Sequence, residues 1–193
     1  MSTFEFFFGF YALILGLAVV EVVSGLSRAL RARRVGALGL CTPLLALYLL
    51  LDLVQYWVDT WTRHQDPHIN AGVLTVALAI AALYYLAASL VFPDEVEGLE
   101  AGDAHYDAQK RTVVLLSFTA NVLSVTALPL LAGQPEVLQA AFSLRGLIFL
   151  ALWILPLALI CVIRNRKINV ALLAWQCLFY LVLTFAEAIG ELT

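Results

Sequence analysis

Acidic side chains stand inside the apolar part of this 193-residue chain, and their chemistry is the most informative feature of the sequence. Glu21 interrupts the first apolar run and Asp52 interrupts the second. A charged side chain inside a membrane span is costly, so it usually marks an ion or proton pathway. We therefore expect these carboxylates to take up and release protons or to bind a small cation.

Neutral polar residues share helix faces with these acids. Ser24 follows Glu21 by three positions and Gln55 follows Asp52 by three, which places each pair on one face of a helix. Further polar groups lie in the fourth, fifth and last apolar runs, and in the last run they keep helical register over several turns. The sequence thus predicts a pathway lined by Glu21, Ser24, Asp52, Gln55, Asn121, Arg145, Gln176, Tyr180, Thr184 and Glu187.

Residue depth predicts how two of the charges are balanced. Counting about 1.5 Å per helical residue places Asp52 and Arg145 at similar depth, so we expect a buried ion pair between the second and fifth helices. By the same count Glu21 has no cation from another helix at its own depth, which favours Glu21 as the group that carries the proton. Two structural alternatives remain. The pair could hold two helices together without transport, and the neutral polar residues could serve only as interhelical hydrogen bonds.

The elements that must position these residues are membrane-spanning helices. The chain is 63% apolar and only 13% charged, which leaves too little polar surface to cover a soluble globule. Six apolar runs are each long enough to cross the roughly 30 Å hydrocarbon core, at residues 6–26, 37–58, 71–92, 112–132, 138–163 and 168–189. They lack the alternating pattern of a barrel strand. We predict an all-α bundle of six spans in one domain, residues 1–193.

The basic residues predict the orientation of the bundle. With six alternating spans, nearly all of them fall on one side, which the positive-inside rule makes cytoplasmic: Arg28, Arg31, Arg33, Arg34, Lys110, Arg111, Arg164, Arg166 and Lys167. Both termini are then expected outside. Tyr56, Trp57 and Trp61 are expected in an outer aromatic belt, and the acidic stretch 93–109 is expected to be a solvated cytoplasmic linker.

Recognisable enzyme motifs are missing from the sequence. It has no G-x-S-x-G, no H-E-x-x-H and no dinucleotide-binding glycine pattern, so we expect neither an enzyme nor a cofactor. The three cysteines, Cys41, Cys161 and Cys177, lack metal-ligand spacing and are interpreted as buried thiols. The expected partners are membrane lipids, a small cation or a proton and further copies of the chain, with no nucleic acid.

Two other function classes compete with a cation or proton pathway. One is a non-transporting scaffold or receptor subunit, and the other is an intramembrane protein that binds a lipid or small molecule. A small-residue face on the third helix, Ala77, Ala81 and Ala88, would allow close packing within or between subunits.

The start of the chain resembles a group of small, uncharacterised bacterial multi-pass inner-membrane proteins. The resemblance covers about the first 60 residues and rests on Glu5-Phe6, on the stretch YALILGLAVVEVVSGLSRALRARR and on VQYWVDTW in the second span. It implies a bacterial inner membrane and a six-helix bundle, and it implies no activity.

Overall fold

The computed structural model describes residues 3–32, 39–63, 70–93, 102–134, 139 and 142–190. These ranges contain no strand, and their helices are α1 (Thr3–Ala32), α2 (Cys41–Arg63), α3 (Ala71–Val91), α4 (Gly102–Val125), α5 (Ala127–Leu131), α6 (Leu144–Val162) and α7 (Arg166–Gly190). Six segments are long and apolar enough to cross a membrane, with α4 and α5 together forming one of them. The prediction of an all-α protein with six spanning helices is confirmed.

Local sequence explains where several helices begin and end. Asn70 caps α3 by accepting a hydrogen bond from the Val73 amide, and Ser143 caps α6 through the Gly146 amide. The helix of the fourth span breaks after Val125, the last residue of α4, which lies four residues before Pro129 of α5. Pro129 has no N–H to donate to the carbonyl of Val125, so the regular hydrogen-bond ladder cannot continue there.

Helix α2 lies at the centre of the bundle. It contacts α1, α3, α4 and α7, while α3 packs between α1 and α4, and α6 packs against α4 and α7. Of the six spans, α2 has the largest buried share and the lowest mean hydropathy, 1.5. The most polar span is therefore the one that the other helices shield from lipid.

The outer helices present leucine and valine side chains outward. Leu13 on α1 is 68% exposed and Leu155 on α6 is 61% exposed, and similar residues cover the outer faces of the other helices. A soluble monomer rarely exposes such continuous apolar surface, whereas hydrocarbon lipid suits it. The chain is a multi-pass membrane protein.

Small residues let α1, α3 and α4 approach closely. Ala77, Ala81 and Ala88 are each at most 2% exposed and face the inside of the bundle, so the predicted small-residue face packs within the subunit. On α1, the Phe92 ring lies so close to Gly25 that even a methyl group would overlap it. Gly25 is required by this contact between α1 and the end of α3.

Three sequence expectations are wrong in detail. Residues 102–109 of the acidic stretch belong to helix α4, where Asp107 pairs with Lys110 one turn later, and residues 94–101 lie outside the described ranges. The first span was expected to end at residue 26, whereas helix α1 continues to Ala32 and includes Arg28 and Arg31. Tyr56 is only 4% exposed and packs against Tyr11 and Tyr84 in the core, so it does not belong to an aromatic belt.

Candidate functional site: a buried carboxylate among tyrosines

Asp52, in the middle of the central helix α2, is 1% exposed. The Tyr180 hydroxyl of α7 donates to its Oδ1 at 2.6 Å. The Asn121 amide of α4 donates to the same carboxylate, with Nδ2 3.0 Å from Oδ1 and 3.1 Å from Oδ2. One carboxylate thus joins three helices at the centre of the bundle.

The direction of the hydrogen bond between Tyr180 and Asp52 is fixed by the indole of Trp153 on α6. An indole N–H can only donate, and Trp153 Nε1 donates to the Tyr180 hydroxyl at 2.8 Å. The Tyr180 proton is then free to point at Asp52. Tyr180 accepts a hydrogen bond from Trp153 and donates one to Asp52, which strengthens both bonds.

Asn121 links the carboxylate to further polar groups. Its Nδ2 also lies 3.0 Å from the Tyr84 hydroxyl of α3 and 2.9 Å from the Ser117 carbonyl oxygen. Two amide protons therefore serve four acceptors, so each is shared. Through this amide, α3 joins the group, and all four helices that meet around Asp52 supply a polar atom.

Polar pairs continue on both sides of the carboxylate along the bundle. One helical turn towards the C-terminus of α2, the Thr184 hydroxyl donates to Gln55 Oε1 at 3.2 Å. One turn the other way, the hydroxyls of Tyr48 and Ser117 lie 2.9 Å apart. Gln176, which is fully buried, donates through Nε2 to the Trp153 carbonyl at 2.8 Å.

An apolar layer follows these pairs towards the end of the bundle that carries Lys110. Leu45, Val113 and Leu173 each lie three or four residues from Tyr48, Ser117 and Gln176, and each is at most 1% exposed. This spacing amounts to one helical turn, about 5 Å. The polar group around Asp52 is therefore closed on that side by packed apolar side chains.

The predicted ion pair between Asp52 and Arg145 is wrong. Arg145 lies in the first turn of α6 and is exposed, and no ion pair joins it to Asp52. Helical counting ran from the cytoplasmic end of each span and began the second span at residue 37, whereas α2 begins at Cys41, so Asp52 lies closer to that end than the count placed it. Within the described ranges, no Lys, Arg or His pairs with Asp52.

Glu21 does have a cation beside it, which comes from its own helix. Arg28, two turns later on the same helix, places a guanidinium nitrogen 3.9 Å from Glu21 Oε1, and the two side chains are about one-third exposed. The count considered cations on other helices and missed one that reaches back along α1. Glu21 and the half-buried Ser24 lie apart from the hydrogen bonds around Asp52.

The predicted pathway residues divide into two sets. The structure brings together Asp52, Gln55, Asn121, Gln176, Tyr180 and Thr184 on α2, α4 and α7. It leaves Glu21, Ser24 and Arg145 outside this set. The side chain of Glu187 lies outside the part of α7 whose side chains are described.

Sequence reasoning missed Tyr84, Trp153 and Tyr11. The rings of Tyr11, Tyr56 and Tyr84 pack in a row across α1, α2 and α3, with neighbouring ring centroids 5.8 and 5.5 Å apart. Tyr84 sits at the same helical spacing as Ala77, Ala81 and Ala88, so the small-residue face itself marked it as inward-facing. No spacing pattern in the sequence indicated that Trp153 faces inward.

Among the described residues, no three His, Cys, Asp or Glu side chains come together to hold a metal ion. No family model, no curated protein and no solved structure matches the chain. The resemblance of its first 60 residues to bacterial inner-membrane proteins stays a prediction.

Proposed function

We propose that the protein is a proton pathway of the bacterial inner membrane in which Asp52 takes up and releases the proton. The observation that carries the proposal is a fully buried carboxylate held by Tyr180 and Asn121, with no cation paired to it in the described ranges. An uncompensated charge at that depth is costly, so a structural role alone explains it poorly.

The surroundings of Asp52 favour a proton over a metal cation. A cation such as Ca²⁺ or Mg²⁺ takes about six or more oxygen ligands, whereas both Asp52 oxygens already accept hydrogen bonds here. Hydroxyl groups can accept and donate at once and so can pass a proton onward. The packed layer of Leu45, Val113 and Leu173 closes the route on that side. A proton passes there only when a small movement of these side chains admits water.

Orientation and assembly are part of the same proposal. The clustered basic residues support outside termini and a cytoplasmic basic end through the positive-inside rule. Homo-oligomerisation is supported by the small enclosed interior of a 193-residue chain. Single cysteines at positions 98 and 65, in a variant without native cysteines, test the orientation. A membrane-impermeant maleimide should label position 65 in intact cells and position 98 only in inverted vesicles.

Liposome flux tests the role of Asp52. Purified protein in vesicles with a pH-sensitive dye inside should dissipate an imposed pH gradient, and Asp52→Asn should abolish this flux because the amide cannot titrate. Asp107→Asn, the same change in an acid paired with Lys110, serves as the matched control and should keep the flux. Glu21→Gln is measured beside them. Loss of flux in Glu21→Gln with full flux in Asp52→Asn would overturn the assignment of Asp52.

A non-transporting scaffold is the second candidate, and one observation favours it. The polar groups around Asp52 satisfy one another, as in a structural hydrogen-bond network that fixes α2, α4 and α7 together. For a scaffold, vesicles with the native protein would keep the gradient as well as empty vesicles do. Asp52→Asn would then change only thermal stability.

A further inference from the structure

A groove lies on the outer surface of α1 near its C-terminal end. It has a volume of about 630 Å³ and is lined by Val23, Leu26, Ser27, Leu30 and Arg31. These residues occupy the last two turns of α1, at the end of the bundle that also carries Lys110 and Arg166. The groove is separate from the polar group around Asp52.

The charge in this groove is uncompensated within the described residues. Arg31 Nε donates to the Ser27 carbonyl at 3.3 Å, which fixes the side chain along the helix, and no acidic side chain there pairs with its guanidinium. Arg28, on the adjacent face, is balanced by Glu21 at 3.9 Å. Because no acidic side chain of the described residues occupies them, the terminal N–H groups of Arg31 can bind an anion.

The apolar wall of the groove continues away from Arg31 along α1. Val20 is 61% exposed, Val23 49% and Leu30 58%, so they form an open apolar surface. The 11 helical steps from Val20 to Arg31 span about 16 Å at 1.5 Å per residue. That length matches one leaflet of the roughly 30 Å hydrocarbon core.

We propose that this groove binds an anionic phospholipid. The phosphate lies against the Arg31 guanidinium and the Ser27 hydroxyl, and one acyl chain runs along Leu30, Val23 and Val20. A guanidinium presents N–H donors in a fork that fits two phosphate oxygens. A lipid suits the site better than a peptide because the apolar wall lies at membrane depth, where an unfolded peptide backbone would lose its hydrogen bonds with water.

The thermal unfolding midpoint of the purified full-length chain in detergent tests this proposal. Phosphatidylglycerol should raise the midpoint more than phosphatidylcholine with the same acyl chains. Arg31→Gln should reduce that difference by half or more, with apparent affinity about fivefold weaker, the effect of one basic residue at a membrane surface. Lys167→Gln is the matched control, since Lys167 is an exposed basic residue at the same end of the bundle.

Several outcomes would overturn the lipid site. Equal stabilisation by the two lipids would show that no anionic headgroup is recognised. Equal losses in Arg31→Gln and Lys167→Gln would indicate surface charge rather than a groove, and an equal rise with inorganic phosphate would indicate a free anion. If Arg31→Gln fails to fold, Ser27→Leu removes the hydroxyl and fills the groove, and it should likewise reduce the difference. The readout is binding, so the result does not depend on proton flux.

Discussion

Asp52 at the centre of the bundle and Lys110 of α4, whose side chain reaches the C-terminal end of α6, are both almost fully buried, at 1% and 3% exposure, yet their surroundings differ in kind. Lys110 donates to the Ile163 carbonyl at 2.8 Å, lies 3.3 Å from Asp107 and stands over the Tyr106 ring at 5.3 Å. Asp52 receives only neutral donors from Tyr180 and Asn121. One buried charge has an opposite charge beside it and the other does not.

The role of Lys110 follows from the end of helix α6. The last carbonyls of a helix lack intrahelical partners and carry partial negative charge. Lys110 and Arg111 of α4 donate to two of them, on Ile163 and Cys161, and the Asn169 amide donates to Ile163 as well. These contacts account for the burial of the Lys110 charge. The contrast teaches that burial alone does not mark a functional charge, and the proposal for Asp52 rests on the missing counter-charge.

The largest effect is expected for Tyr180→Phe. The change leaves the Trp153 N–H without an acceptor and removes a donor from Asp52, so the free energy of unfolding should fall by about 2–3 kcal/mol. Proton flux should fall with it because the hydroxyl next to the carboxylate is gone. Chemical unfolding in detergent and the vesicle assay measure the two effects. Tyr85→Phe, at an exposed tyrosine beside Tyr84, is the control and should change neither.

A smaller effect is expected for Lys110→Met. The variant keeps most of the side-chain volume but leaves Asp107 with only the more distant Arg166 and removes one donor from the Ile163 carbonyl. The free energy of unfolding should fall by about 1–2 kcal/mol, with proton flux unchanged. Lys167→Met is the matched exposed control. A loss of flux in Lys110→Met with normal stability would mean that the two regions are coupled, contrary to the comparison.

The sequence predicted the spans well because membrane length and apolar composition determine them almost alone. It also predicted Asp52, Gln55, Asn121, Gln176, Tyr180 and Thr184 as inward-facing, since helical spacing places them on shared faces. Contacts between helices were not predictable in the same way. Whether Asp52 meets Arg145 or Tyr180 depends on where α2 begins and on how α2, α6 and α7 pack, and a residue count from the sequence contains neither.

The smallest effect is expected for Arg145→Ala. Arg145 is exposed and makes no ion pair with Asp52, so its removal should change the free energy of unfolding by no more than about 0.5 kcal/mol. In a double-mutant cycle with Asp52→Asn the two changes should add within about 0.5 kcal/mol. A coupling energy well above this value would restore the ion pair between α2 and α6.

The central place of α2 has a consequence for the order of synthesis. Asp52 near the middle of a span adds about 2.5–3.5 kcal/mol to the cost of membrane insertion, and α2 already has the lowest mean hydropathy of the six spans, 1.5. Its donor Tyr180 comes 128 residues later. At roughly 5–20 residues per second, those 128 residues take about 6 to 26 seconds to make. During that interval α2, the most polar span, lies in the membrane without α7. A nascent chain cut short before α7 leaves the Asp52 carboxylate without its hydroxyl donor.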